Sequence, residues 1–530
     1  MSTTISPRLR RFAMSAAAIT VALQPMAAQA AATKAEKAAA AIAVDAQAKQ
    51  IQVMVDQVFS FAEPGFQEVR TSAYLADILE KNGFTVTRGV AGIPTAFTAT
   101  WGTGGPLIAL GSDIDDLLGV SQVPGIPNVK PLVEGAPGHG EGHNSGMPLI
   151  IAAAIAAKGV MEKNHIPGRL MIWPGVAEEL LASKAYYVKA GLFKDVDACI
   201  FTHVSNDFTT AYGDLGQNGM VSVEYTFHGK TAHAAGDPWD GRSALDGVEI
   251  MDTAWNFRRE HLPVTQRSHY VITDGGGQPN VVPGRAAVWY YFRDRTFGAV
   301  KSLYDTGNEI SEAAAKATGT TVEHRILGYA APNWGNKPLA EVAYANIKAV
   351  GMPKWTADDQ AFAHAVQETN HRKIESLRST VADLSTPENR PNSLGGGSDD
   401  IGDIMWAVPT ITIRFPSNIP NMIGHNVTSA MAMATPIAHK GAVAGAKAVA
   451  MTVLDMMTTP KLISDAKTYQ TDVQFKTDHY APILDKPAIW LNKETMDRLR
   501  PQMEKYYYDP SKYASYLDQL GIKYPTVTPQ

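Results

Sequence analysis

"PGHGEGHNSGMPLIIAAAIAAKGVMEKN", residues 137–164, sets two histidines and a glutamate among glycines and runs straight into an apolar stretch of helical length. Three ligand-type side chains on so bare a turn contribute little to a core, and the glycines let the backbone turn tightly enough to aim its neighbours at one point. Working outward, "PLIALGSDIDDLLG" (106–119) upstream reads as an apolar strand ending in acids. "GRLMIWPGVAEELLASKAYYVKAG" (168–191) downstream reads as strand, turn and helix, and "ACIFTHVSND" (198–207) as another buried strand. Apolar strands alternating with helices predict an α/β domain with a mainly parallel sheet, and such sheets hold ligands beyond the carboxyl ends of their strands.

Two amphipathic helices precede this region, through "IQVMVDQVFSFAEP" (51–64) and "TSAYLADILEKNGF" (71–84). Near Met220 the rhythm changes to residues alternating by twos, in "MVSVEYTFHGK", "HYVITDGG", "NVVPGRAAVWYYFRD" and "GTTVEHRILGY", around the helices "SALDGVEIMDTAWNFRREHL" and "SLYDTGNEISEAAAKA". That pattern predicts an inserted α+β domain. The α/β rhythm returns with the strand "VPTITIRFP" (408–416) and the helix "TPIAHKGAVAGAKAVAMTVLDMM" (435–457). The expected organisation is a leader at 1–30, a catalytic domain in two parts (41–215 and 329–460), an insert at 216–328 and a C-terminal extension at 461–530. The stretch 356–398, polar and ending in "ENRPNSLGGGS", reads as a mobile surface segment.

A 530-residue chain that is 45% hydrophobic and 19% charged is an ordinary globular protein, long enough for two folded units. The formal net charge is −5, and no basic run lies beyond the first residues, so nothing suggests a nucleic-acid partner. Arg8, Arg10 and Arg11, then an apolar Phe12–Leu23, then small residues near Ala28 and Ala30 read as an export signal, hence a periplasmic or secreted protein. Removing those three arginines and no acid takes the charge from −5 to −8. No later segment reaches the ~18 uncharged apolar residues of a membrane helix, because the longest meets Lys158, so no membrane insertion is expected. With Cys199 as the only cysteine, no internal disulfide forms.

Five stretches at predicted strand ends carry ligand-type residues: "GSDIDD" (111–116), "GHGEGHN" (138–144), "AEE" (177–179), "THVSND" (202–207) and "IGHN" (423–426). Singly each has a plainer reading, a core histidine in "CIFTHV" or a helix-capping pair in "EE". Their shared location is what argues for a centre. Carboxylates with imidazoles and no thiolate suit Zn²⁺, Mn²⁺, Co²⁺ or Ni²⁺.

These stretches, with "GKTAHAAGDPWDGRSALDG", "NVVPGRAAVWYYFRD", "SDDIGDIMWAVPT" and "GHN…TPIAHKG", stand in the order of the motifs of M20-family metallopeptidases and amidohydrolases, and the chain over roughly 45–455 resembles subfamily D, of the aminobenzoyl-glutamate hydrolase type. The resemblance implies a zinc-peptidase-like catalytic domain with an inserted lid and dimerisation domain, a homodimer, and two divalent ions, Zn²⁺ first. It implies Glu141, His143, Glu179, His203 and His425 as metal ligands and Glu178 as general base. It further implies His233 as a contact to substrate or oxyanion, reaching across a dimer in many relatives, Asn280 and Arg293 as substrate-binding, Asp115 as an acid beside the site, and His139 as support. From the residues alone His233 could equally be a loop histidine, and Arg293 a strand-face partner of Asp294 or Asp274. Two departures stand out: glutamate at 141, where the subfamily has cysteine, and "EELLAS", where relatives have a glycine run. The implied reaction is hydrolysis of the amide in a small N-acyl, N-aroyl or aminoacyl amino acid. A dipeptidase or aminoacylase of the same family, or a non-catalytic extracytoplasmic protein that captures peptides or metal, are the alternatives, and the binding protein would have no need of Glu178.

Overall fold

The structure, a computed structural model, describes residues 1, 3, 32–390 and 396–528, and the leader reading falls outside the described residues but for Met1 and Thr3. In the first unit, β1 (Thr85–Arg88), β2 (Phe97–Thr103), β3 (Leu107–Asp113), β4 (Gly168–Gly175), β5 (Ala198–Ser205) and β6 (Thr209–Thr210) are followed, two residues later, by the short β7 (Gly213–Asp214). The second unit contains β8 (Gly219–His228), β9 (Arg267–Asp274), β10 (Arg285–Asp294) and β11 (Thr321–Ala330). The chain then returns to the first unit through β12 (Trp334–Gly335) and β13 (Thr410–Pro416).

The first unit is a seven-stranded sheet in the order β1-β2-β4-β3-β5-β13-β6. Its four central strands run parallel, while β1, β2 and β6 close the edges antiparallel. The parallel strands are buried on both faces, as their near-continuous apolar sequences require. On one face lies the helix Gly146–Asn164 predicted from the opening stretch, packed against the helix Pro436–Thr458. Both helices are rich in alanine, so their backbones approach closely. At Gly441 a Cβ would strike the Pro416 carbonyl, which seats the second helix directly on the end of β13. Among the described residues, only the first of these helices has the length and apolar composition to cross a membrane, and 83% of that window is buried in the fold.

The insert is a four-stranded antiparallel sheet, β11-β8-β10-β9, backed by the helices Ala244–Arg259 and Phe297–Thr318. Its own core holds Trp255, Tyr225, Tyr290, Phe227 and Phe292.

The reading of 356–398 as mobile surface is corrected over its first third. Ala357–Thr369 is a helix, opened by a reciprocal cap between Thr356 and Asp359, and it buries Phe362, Ala363 and Val366. That sequence looks polar because two of its buried residues are themselves polar: Asp359 is held by Lys440 and Tyr524, and Gln367 donates to the Glu375 and Pro420 carbonyls.

The extension beyond residue 461 forms a belt. Asp478 and Asp485 accept the Phe297 and Ile326 amides of the insert at 3.2 and 2.8 Å, and Arg325 lies over the Trp490 ring. Tyr480 donates to Asp403 of the first unit at 2.7 Å. Farther on, Arg500 pairs with Glu63, the Tyr508 amide donates to Ser60 and the Tyr516 amide to Asp56.

Candidate metal centre

The carboxyl ends of β3, β4, β5 and β13 meet at one side of the sheet, and the loops that leave them converge there. Residues 138–145 supply Glu141 and His143 ahead of their helix. The turn after β4 supplies Glu178 and Glu179, β5 supplies His203, and the loop after β13 supplies His425. Backbone geometry does part of the aiming. Ala177, Leu181 and His425 all take left-handed conformations, with φ of 51°, 52° and 56°. Each such placement costs a side-chain-bearing residue about 1–2 kcal/mol, a strain typical of functional loops. Gly142 at φ 121° does what the bare turn requires, since a Cβ there would also run into Met433 Sδ.

Glu141 is the hub. Its Oε1 lies 3.4 Å from His203 Nε2, and its Oε2 lies 3.4 Å from His143 Nε2 and 3.5 Å from His425 Nε2. His425 Nε2 is also 3.5 Å from Glu179 Oε2. These separations are long for hydrogen bonds, and they match the edge of a tetrahedron of ligands at ~2.0–2.1 Å from a shared cation, roughly 3.3–3.4 Å. His143 Nε2 is buried with no hydrogen-bond partner, a donor atom aimed at a position that a metal would fill. The five ligand candidates of the sequence are therefore brought together around a common centre. A glutamate with its two oxygens turned to different histidines suits the bridging position between two ions.

Asp115 supports two of these groups. Its Oδ2 accepts the Glu179 amide at 3.0 Å, and its backbone carbonyl lies 3.1 Å from His143 Nδ1, fixing that ring by the nitrogen opposite the centre. His139 lies behind the centre, buried, with Nδ1 2.8 Å from Asp116 and Nε2 3.2 Å from the Val58 carbonyl.

The electrostatics have the character of a cation site. Burial works to raise the Glu141 carboxyl, but His203, His143 and His425 prevail and hold it well below the usual range. Burial would lower His143, yet Asp115 and Glu141 lift it well above the ordinary imidazole value. Glu179 is pushed up to about 8 by burial, with His143 pulling against this and Glu141 adding to it. Glu178 is raised well above its ordinary value by burial and by Asp113 and Asp399. Carboxylates crowded this way hold protons until a cation replaces them.

Sequence reasoning missed what lies beneath. Asp113, Glu178 and Asp399 form a buried carboxylate group, and Lys184, with no exposed surface, donates to Asp113 at 2.6 Å and to Asp400. "GSDIDD" and "SDDIGDIMW" named the acids, but a lysine inside an amphipathic helix reads as solvated.

The cleft above the centre is lined by Glu141, Glu178, Glu179, His203 and His425 from the first unit and Tyr291 and Arg293 from the insert. Arg293 lies over the Tyr291 ring and reaches Ser398 at 3.4 Å, while Asp274 pairs with Arg285 instead. Leu181, from the altered "EELLAS" turn, closes one side. His233 and Asn280 are not among the lining residues. They sit together on the exposed rim of the insert, where the Ala234 amide donates to the Asn280 carbonyl and the His233 ring accepts the Gly236 amide at 2.9 Å. One chain does not bring these two residues to the centre.

A two-unit α/β hydrolase with a carboxylate-imidazole centre at the strand ends is the class this fold and site define, and the chain belongs to the M20 family of metal-dependent peptidases and amidohydrolases. Residues 215–319 match the peptidase dimerisation domain. The chain is 32% identical over 465 residues to a subunit of the p-aminobenzoyl-glutamate hydrolase of Escherichia coli, covering 83% of this chain and 96% of the relative. It is 26% identical over 437 residues to the Xaa-Arg dipeptidase of Mus musculus, covering 81% and 91%. Among solved structures it is similar to an aminohydrolase structure from methicillin-resistant Staphylococcus aureus, at 17% identity and a TM-score of 0.56, covering 79% of this chain and 100% of the other.

Proposed function

We propose that this protein is an exported amidohydrolase that cleaves the amide bond of a small N-acyl, N-aroyl or aminoacyl amino acid, working as a homodimer with two divalent ions, Zn²⁺ first. The relatives support the substrate class: one is named for p-aminobenzoyl-glutamate, another for Xaa-Arg dipeptides. The matched dimerisation domain supports pairing of two copies through the insert. Pairing also gives His233 a role, since a rim residue remote from its own cleft can serve a partner's.

Glu141, His143, Glu179, His203 and His425 would hold the ions. When bound, such ions polarise an amide carbonyl and lower the pKa of a shared water from ~15.7 towards ~7. The observation that carries the reading is Glu178. It is buried at the edge of the cleft, 3.9 Å from His143 Nε2, and among the described residues no protein donor takes up its oxygens. A carboxylate kept free beside the ligand set is placed to take the proton of water and pass it to the leaving nitrogen. Arg293 reaches into the same cleft and orients the substrate by its carboxylate or carbonyl.

The test is Glu178→Gln. It should lower turnover by about 10²–10⁴-fold, the usual worth of a general base, while elemental analysis shows the metal content unchanged. A panel of N-acyl amino acids, aroyl-glutamates and dipeptides that wild type does not hydrolyse, or that the variant hydrolyses equally well, would refute the reading.

A further inference from the structure

Arg414 is the one cation on the first unit's wall of the cleft, among the described residues, and nothing so far gives it work. It lies near the carboxyl end of β13, in register with His203 on the parallel β5, so the two side chains leave the sheet as neighbours. Its Nη1 lies 3.3 Å from His203 Nδ1. That contact cannot be its purpose. If His203 offers Nε2 to the centre, Nδ1 carries the proton, and the Val204 carbonyl at 2.9 Å is there to accept it. Two donors then face each other, leaving the guanidinium fork uncommitted.

Arg70, Arg88, Arg285, Arg295, Arg325, Arg378 and Arg500 form ion pairs, and others, such as Arg242, Arg267, Arg372 and Arg390, donate to backbone carbonyls. Arg414 has no carboxylate within 4 Å among the described residues, and neither has Arg293 on the opposite wall, whose Nε is buried without a partner. The cleft thus presents two unmatched guanidinium groups, one from each unit, on either side of the centre. A permanently charged planar fork fits a carboxylate by two parallel hydrogen bonds. Arg414 meets the His203 ring at Nδ1, whereas Glu141 meets it at Nε2.

We propose that Arg414 is a specificity-determining residue that receives a second carboxylate of the substrate, so that the cleft selects N-acyl derivatives of dicarboxylic amino acids. This rests on the amidohydrolase reading and narrows its substrate. A basic side chain at the same place would meet a like charge, and a neutral amide would leave the guanidinium without its counter-ion.

Binding separates the two claims. N-benzoylglutamate and N-benzoylglutamine, alike in shape and different by one charge, are titrated calorimetrically into metal-loaded Glu178→Gln protein, with and without Arg414→Gln. Charge-assisted bidentate contacts predict about 10- to 100-fold tighter binding of the glutamate compound, falling to within about threefold when Arg414 is changed. In active enzyme the same substitution should act through KM for the glutamate substrate with kcat nearly kept. Equal binding of the two compounds, no binding of N-benzoylglutamate, or a preference that survives Arg414→Gln overturns the proposal. Preference without turnover by the wild type would instead refute the hydrolase reading and leave Arg414 its anion.

Discussion

Replacing Lys184 by methionine tests the buried charge arrangement under the centre. The Lys184 ammonium is wholly enclosed and donates to Asp113 and to Asp400, whose Oδ2 also accepts the Ser183 and Lys184 amides. Methionine keeps the volume and removes the charge, leaving two carboxylates unpaired. Breaking a buried pair by deleting one partner costs about 3–5 kcal/mol. At 2–4 °C per kcal/mol for a unit of this size, melting should fall by roughly 6–20 °C. The loss should depend on pH. Burial pushes Asp113 up to about 8 with Lys184 pulling it back, so between its unfolded value near 4 and about 8 the folded protein holds more protons than the unfolded one. Stability therefore falls with rising pH across that window. Without Lys184 the folded value rises further, so the gap between variant and wild type widens from pH 5 to pH 9. Asp400→Asn in the same chain should return part of the loss, because an amide oxygen still accepts the Ser183 and 184 amides. Thermal unfolding followed by circular dichroism at pH 5, 7 and 9 reads all of this. A variant melting within about 2 °C of wild type at pH 9, or one with the same gap at every pH, would refute the reasoning.

Two other outcomes are expected. Elemental analysis of purified protein should find close to two divalent ions per chain, and Glu141→Ala should lose at least one of them; a single ion indifferent to that change contradicts the bridging role. In the insert, Tyr290 donates to Asp252 at 2.5 Å and burial raises that carboxyl to about 6, so stability falls as pH rises from about 4 to 6. Asp252→Asn keeps the acceptor and should flatten that slope, stabilising the insert at pH 7 by about 1 kcal/mol once partial solvent contact is discounted; an unchanged pH profile of unfolding argues against it.

The parallel strands and their helices could be read from the sequence because burial on both faces writes long apolar runs, and the ligand loops because glycine, histidine and glutamate have little structural use at strand ends. What escaped depended on register and on distant partners. The edge strand Thr85–Arg88 and its neighbour Phe97–Thr103 are polar enough to pass for a loop. Arg414 in "TITIRFP" reads as an ordinary outward residue until β13 is paired with β5. Lys184 is intelligible only once Asp113 and Asp400, 71 and 216 residues away, close around it. His233 and Asn280 show the reverse case: the motif was legible, but a single chain holds them on its rim.

The belt beyond residue 461 follows both units in the chain and grips each of them. Beneath the belt the two units also touch directly, through the Tyr329 amide on the Leu181 carbonyl at 2.8 Å and the Phe297 ring against Trp406. The belt adds a second set of clamps to that junction from outside. A nonsense mutation near residue 472 would then leave the units held by their direct contacts alone, and a protease should cut between them more readily than in the full chain.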